Sequence, residues 1–99
     1  MNPNNTISVI MPALNEEKNI TAAIDAAFEA LRDFGLSGEI IVVNDGSSDK
    51  TPVLAQERAS RYGEGLIKLI NHDKPKGIGA SFFDGLDNAT GDIVVMIPG

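Results

Sequence analysis

Asp45 follows the apolar run Ile40 to Val43 in "IIVVNDGSSD", and Glu16 and Glu17 follow an earlier apolar run in "PALNEEKN". An ionised carboxylate only accepts hydrogen bonds, so Asp45 can take a base N–H or a ribose hydroxyl, and Glu16 can take a hydroxyl in the same way. A plainer reading stands beside this one. Asn15, Glu16 and Glu17 also suit the cap and first turn of a helix, and Ser47 to Asp49 suit a turn in which Ser48 or Asp49 caps the next helix. Asp45 precedes any such cap, so capping does not account for it. A third polar segment, "NHDKPKGIGAS", places Lys74, Lys76, Gly77 and Gly79 ahead of a helical pattern. Backbone N–H groups and ammonium charge there can meet an anion, without the glycine and lysine spacing of a P-loop. His72 is the one histidine of a chain without cysteine. With no second soft ligand nearby it reads as a surface-loop residue and not as a zinc ligand.

The elements that must position these residues follow from apolar periodicity. "ISVIM", "EIIVVN", "LIKLIN" and "DIVVMI" read as strands. The first, second and fourth are nearly continuous in apolar residues, as in strands buried on both faces, while Lys68 in the third marks a sheet edge. Ile20, Ala23, Ile24, Ala27, Phe28, Leu31 and Phe34 recur at helical spacing, with Gly35 as the stop. A second helix is expected from about Lys50 to Tyr62, with Pro52 in its first turn and Gly63 closing it. A third runs from about Gly77 to Ala89, with Ile78, Phe82, Leu86 and Ala89 on one side; Gly85 within it weakens the pattern or marks close packing. The order βαβαβαβ implies an α/β, Rossmann-like open parallel sheet with right-handed crossovers. Ligands of such sheets bind beyond the carboxyl ends of the strands, where strand order reverses. Glycines would be expected after the first strand if a pyrophosphate sat there; Glu16 and Glu17 would repel it.

The 99 residues suffice for one domain, expected over residues 7–99, after a polar, disordered lead-in over residues 1–6 that has no signal-peptide character. A net charge of −6 disfavours nucleic acid, which needs clustered Lys and Arg. No apolar run approaches the roughly 20 residues that cross a bilayer, so a soluble chain is expected. The absence of cysteine excludes disulfides and thiolate chemistry and accords with a cytoplasmic location.

Taken together, "ISVIMPALNEEKNI", "EIIVVNDGSSDKT" and "KGIGASFFDGLDNATGDIVVMIPG" resemble the N-terminal half of a family 2, GT-A type glycosyltransferase, in the group of dolichyl- and undecaprenyl-phosphate sugar transferases. The resemblance spans nearly everything from Ile7 onward. It implies an enzyme that moves a sugar from a nucleoside diphosphate sugar to a lipid phosphate or a sugar hydroxyl, working at the cytoplasmic face of a membrane. By position it nominates Pro12, Leu14 and Glu16, then Val43 and Asp45, as nucleotide-sugar-binding residues, with Lys76 and Gly77 as a looser correspondence. The family often has an aromatic residue where Leu14 stands, which implies apolar contact in place of base stacking, and Asn44 stands where many members have an Asp. Members follow the fourth strand with Asp-x-Asp, whose carboxylates bind Mg²⁺ or Mn²⁺. By alignment that motif would begin after Gly99. The expectation is therefore a nucleotide-binding half with no catalytic residue and no metal ligand of its own, inactive alone. Two other classes compete. A phosphoreceiver-like signalling domain without enzymatic activity shares the architecture and would use Glu16, Glu17 and Asp73, but leaves "NDGSSD" without a task; a sugar nucleotidyltransferase would need a glycine-rich loop after the first strand.

Overall fold

A computed structural model describes residues 6–63 and 65–99. The elements are β1 (Thr6–Ala13), α1 (Ile20–Asp33), β2 (Ser37–Asp45), α2 (Thr51–Tyr62), β3 (Ile67–His72), α3 (Ile78–Asp87) and β4 (Ile93–Met96). Thr6, expected in the lead-in, is the first residue of β1; residues 1–5 of that expected lead-in lie outside the described residues.

All strand pairs are parallel and the sheet order is β3-β2-β1-β4. The chain steps outward from β1 to β2 to β3, then crosses back over β2 and β1 to place β4. Right-handed crossovers in opposite directions put their helices on opposite faces, so α1 and α2 share one face and α3 covers the other. Alternation along the strands divides the core accordingly. Val9, Met11, Ile40 and Val42 meet Ile20, Ile24, Ala27 and Leu31 of α1; Ile10, Ile41 and Val43 meet Phe82 and Ala89 on the α3 side. Each fully buried branched side chain contributes roughly 1.5–3 kcal/mol, which makes β1 and β2 the anchor of the domain.

β4, expected to be buried on both faces, pairs among the described residues with β1 alone, and its Val95 and Met96 are 38% and 42% exposed. β3 is the other edge, as Lys68 indicates. Helix α1 ends in a Schellman arrangement: Gly35, at φ 66°, donates to the Arg32 carbonyl and Leu36 donates to that of Leu31. Phe34, counted in the apolar stripe, is the C-cap residue and 79% exposed. Helix α3 meets the sheet through Ser81, Phe82 and Gly85, while Ile78 and Leu86 stay exposed. A Cβ on Gly85 would lie 2.6 Å from the Ile10 side chain, so this glycine marks close helix-to-sheet packing.

At the amino end of the strands, Glu39 is buried and accepts from the hydroxyls of Ser8 and Thr90 and the amide of Thr90, while Lys68 pairs with it at 2.8 Å. Burial pushes its pKa up, but these donors outweigh it and hold the carboxyl at about 2. The cluster ties the α3–β4 connection to β1 and β2.

Candidate functional site

The three βα loops at the carboxyl end of the sheet are joined to one another, and the loop after β2 is their hub. Asn15, at φ 53°, turns the chain after β1 so that its side-chain carbonyl accepts from the Ser48 amide at 2.8 Å, while its own amide donates to the Ser47 hydroxyl at 2.9 Å. The Glu16 amide donates to the Thr51 hydroxyl at 2.8 Å, and that hydroxyl donates to Asp49. Asp49 also accepts from the amides of Thr51 and Glu17. Desolvation opposes its ionisation, but these donors prevail and its pKa lies below the ordinary 3.8. Ser47 to Asp49 thus hold the first loop; the cap expected of Ser48 or Asp49 is not formed, since Lys50 is the N-cap of α2 and no side chain caps it, Asp49 meeting instead the Thr51 amide one residue into the helix. Glu16 and Glu17 precede α1, which starts at Ile20, so they are not first-turn residues of that helix.

Asp45 holds the other neighbour. It is the last residue of β2, 6% exposed, and its two oxygens accept from the amides of Lys76 at 2.8 Å and Gly77 at 3.0 Å and from the ring of His72 at 2.8 Å. Burial raises its pKa, but the His72 hydrogen bond and the two amides bring it below the ordinary value. Gly46 lets the third loop come this close: at φ 74°, a Cβ there would stand 2.4 Å from the Lys74 carbonyl carbon. His72 is not the surface-loop histidine expected. It ends β3, is 7% exposed, and contacts Asp45 through Nδ1 and Asp84 of α3 through Nε2 at 2.6 Å. The loop reading failed because β3 runs one residue further than its apolar pattern.

Between these loops lies an open cleft of about 250 Å³ lined by Pro12, Ala13, Leu14, Glu16, Asp45, Gly77, Ile78, Ser81, Pro98 and Gly99. Five of the seven nominated residues, Pro12, Leu14, Glu16, Asp45 and Gly77, therefore share one surface. Val43 does not. It lies on the same face of β2 as Asp45 but one step deeper, fully buried with Ile10 and Ile41. Lys76 lines no part of the cleft; its backbone amide serves Asp45 while its side chain is exposed. Sequence reasoning missed Ile78 and Ser81, which it placed on the third helix without assigning them to a site, and Pro98 and Gly99, whose segment is tied to the first loop by the Gly99 amide donating to the Pro12 carbonyl at 3.0 Å. The Ser81 hydroxyl is buried without a hydrogen-bond partner.

Among the described residues, no group of three or more His, Cys, Asp and Glu side chains is placed to hold a metal ion, and no helix is long and apolar enough to cross a membrane. Asp73 lies exposed beyond the end of β3, not in a strand-end acidic cluster.

Residues 8–97 match the family model described as glycosyl transferase family 2. The chain is 37% identical over 91 residues to a dolichol-phosphate mannosyltransferase of Pyrococcus furiosus, covering 92% of this chain and 24% of that protein. It is 32% identical over 99 residues to the human dolichyl-phosphate beta-glucosyltransferase, covering 95% of this chain and 31% of that one. Among solved structures, a mannosyltransferase from Pyrobaculum calidifontis in complex with GDP-Man and Mn²⁺ superposes with a TM-score of 0.82 at 28% identity, over 97% of this chain and 28% of that one. Glucosyl-3-phosphoglycerate synthase from Mycobacterium tuberculosis, in complex with Mn²⁺, UDP and glucosyl-3-phosphoglycerate, superposes with a TM-score of 0.74 at 33% identity, over 96% and 33%. The chain thus spans about a quarter to a third of the length of the proteins it matches.

Proposed function

Since the chain belongs to glycosyl transferase family 2, we propose that the cleft between the three βα loops holds the nucleoside end of a nucleoside diphosphate sugar, and that the whole protein transfers the sugar to a lipid phosphate at the cytoplasmic face of a membrane. In that reaction the anomeric carbon exchanges its bond to the diphosphate oxygen for one to an acceptor oxygen, and the nucleoside diphosphate leaves. The residues described here supply the binding part. Leu14 and Ile78, 44% and 58% exposed, offer apolar walls for a base. Glu16 accepts from a ribose hydroxyl or base N–H. Asp45 has spent three of its four acceptor positions on the chain and keeps one, so its contact with a ligand is a single hydrogen bond.

The observation that carries this reading is the convergence of Pro12, Leu14, Glu16, Asp45 and Gly77 on one cleft at the point where strand order reverses, the place where open α/β sheets take nucleotides. The lipid-phosphate acceptor rests on the names of the two sequence relatives. Among the described residues, the side chains do not gather into a place for the Mn²⁺ present in both structural neighbours.

The test is a titration of the 99-residue chain with UDP and with GDP, followed residue by residue by NMR. Shifts centred on Leu14, Glu16, Ile78 and Gly99 are expected. Shifts confined to the opposite end of the sheet, around Ser8, Glu39 and Thr90, would overturn the assignment.

A further inference from the structure

His72 has no part in the scheme above, yet it is buried between two carboxylates from different elements. Its Nδ1 lies 2.8 Å from Asp45 of β2 and its Nε2 2.6 Å from Asp84 of α3. A neutral imidazole donates from one nitrogen only; the other would turn a lone pair toward a carboxylate. With both carboxyl groups ionised, the two contacts are satisfied at once only by the imidazolium. We propose that His72 is the positioning residue of the cleft: its imidazolium cross-links Asp45 to Asp84 and so sets where α3 stands relative to β2, and with it the wall that Gly77, Ile78 and Ser81 present to a bound nucleotide. This inference rests on the nucleotide reading of the cleft.

The geometry gives the device a direction. Asp45 is also held by the amides of Lys76 and Gly77, and its side chain is 8% exposed, whereas that of Asp84 is 44% exposed. When His72 loses its proton, the Nδ1–H stays with Asp45 and Asp84 is the partner that turns to water. Helix α3 then loses its polar tie to β3 on the cleft side and keeps the one at its C-cap, where Lys68 donates to the Asn88 carbonyl at 2.9 Å. Ser81, which lines the cleft, lies one turn before Asp84 on the same side of α3, so the loosened contact adjoins the ligand wall. The charged groups facing the ring are Asp45 from β2, Asp84 from α3 and Lys76 from the connecting loop; the two carboxylates outweigh the lysine and burial, and the His72 pKa lies above its ordinary 6.5.

The experiment has a ligand-free arm and a nucleotide arm. In the free chain, the His72 ring nitrogens and the amides of Lys76, Gly77 and Ser81 are followed by NMR from pH 5 to 9. The three amides are expected to titrate with the ring, and Asp84→Asn is expected to lower the midpoint of all four together. Amides that stay flat through the ring's transition would overturn the proposal. In the nucleotide arm, affinity for UDP or GDP should weaken about fivefold as pH rises through the same midpoint, the lower end of ordinary coupling between sites. Asp84→Asn should shift the pH at which affinity falls by the same amount as it shifts the ring's midpoint, a coupling that a merely structural histidine would not show. Amides that follow the ring in a chain that binds neither nucleotide at any pH would sink the nucleotide reading while leaving the cross-link intact; binding that ignores the ring's titration would sink the cross-link alone.

Discussion

The amide of Glu16 donates to the hydroxyl of Thr51 at 2.8 Å, across 35 positions of sequence. Thr51 is fully buried at the start of α2 and its hydroxyl in turn donates to Asp49, so one threonine links the loop that carries Glu16 to the loop that follows β2. Thr51→Val keeps the shape and removes the hydroxyl, leaving the Glu16 amide without its acceptor. A loss of about 1–3 kcal/mol in urea unfolding is expected, together with weaker nucleotide binding through a displaced Glu16. An unchanged unfolding midpoint would show that water replaces the hydroxyl at no cost.

Asp45 invites a sharper test, because it lines the cleft and also holds the third loop. A free carboxylate at a strand end would leave folding nearly intact when replaced by alanine. The structure instead gives it three donors, one of them a buried histidine, and breaking a buried charged pair typically costs 3–5 kcal/mol. Asp45→Ala should therefore lose about 3 kcal/mol or more by denaturant titration at pH 6, and the amides of Lys76 and Gly77 should lose protection from hydrogen exchange. A loss below about 1 kcal/mol would return Asp45 to the role of a ligand contact alone.

The dependence of stability on pH follows from the same groups. Glu39 is depressed from 4.5 to about 2, so its contribution is present above pH 4.5 and fades as pH falls toward 2. Asp45 is depressed and behaves alike below 3.8. His72 is raised, so its contribution is complete below 6.5 and is lost as pH rises through the higher folded value. Maximal stability is expected between pH 4.5 and 6.5. Glu39→Gln should remove about 3 kcal/mol from the wild-type advantage at pH 6 and flatten the acid limb, read from thermal melts across pH. An acid limb of undiminished slope in that variant would assign it to other carboxylates.

Much of the architecture was legible because it rests on local rules. Ile20, Ile24, Ala27 and Leu31 at helical spacing, the stop at Gly35, and Lys68 at an edge strand each follow from geometry within a few residues. Phe34 and β4 were misread for a related reason: periodicity and apolar content say which residues favour burial, and only neighbours in space provide it. In the site, Pro12, Leu14, Glu16, Asp45 and Gly77 were reachable because parallel strands bring their carboxyl-end residues together wherever the order of strands reverses. Val43 was not separable from Asp45 by pattern, since both point to the same face and depth along the strand is invisible to alternation.

Alternating apolar runs and helical stripes, together with three motif blocks, were enough to specify a parallel α/β sheet, its family and the end of the sheet that carries the cleft. Which hydrogen bonds the polar residues make was settled by packing. Asp45 reaches Gly77 across 32 positions, Asn15 reaches Ser48 across 33, and His72 finds Asp45 across 27. A carboxylate has the same chemistry whether it faces a ligand or its own backbone, and the difference lies in which loop the folded sheet sets beside it.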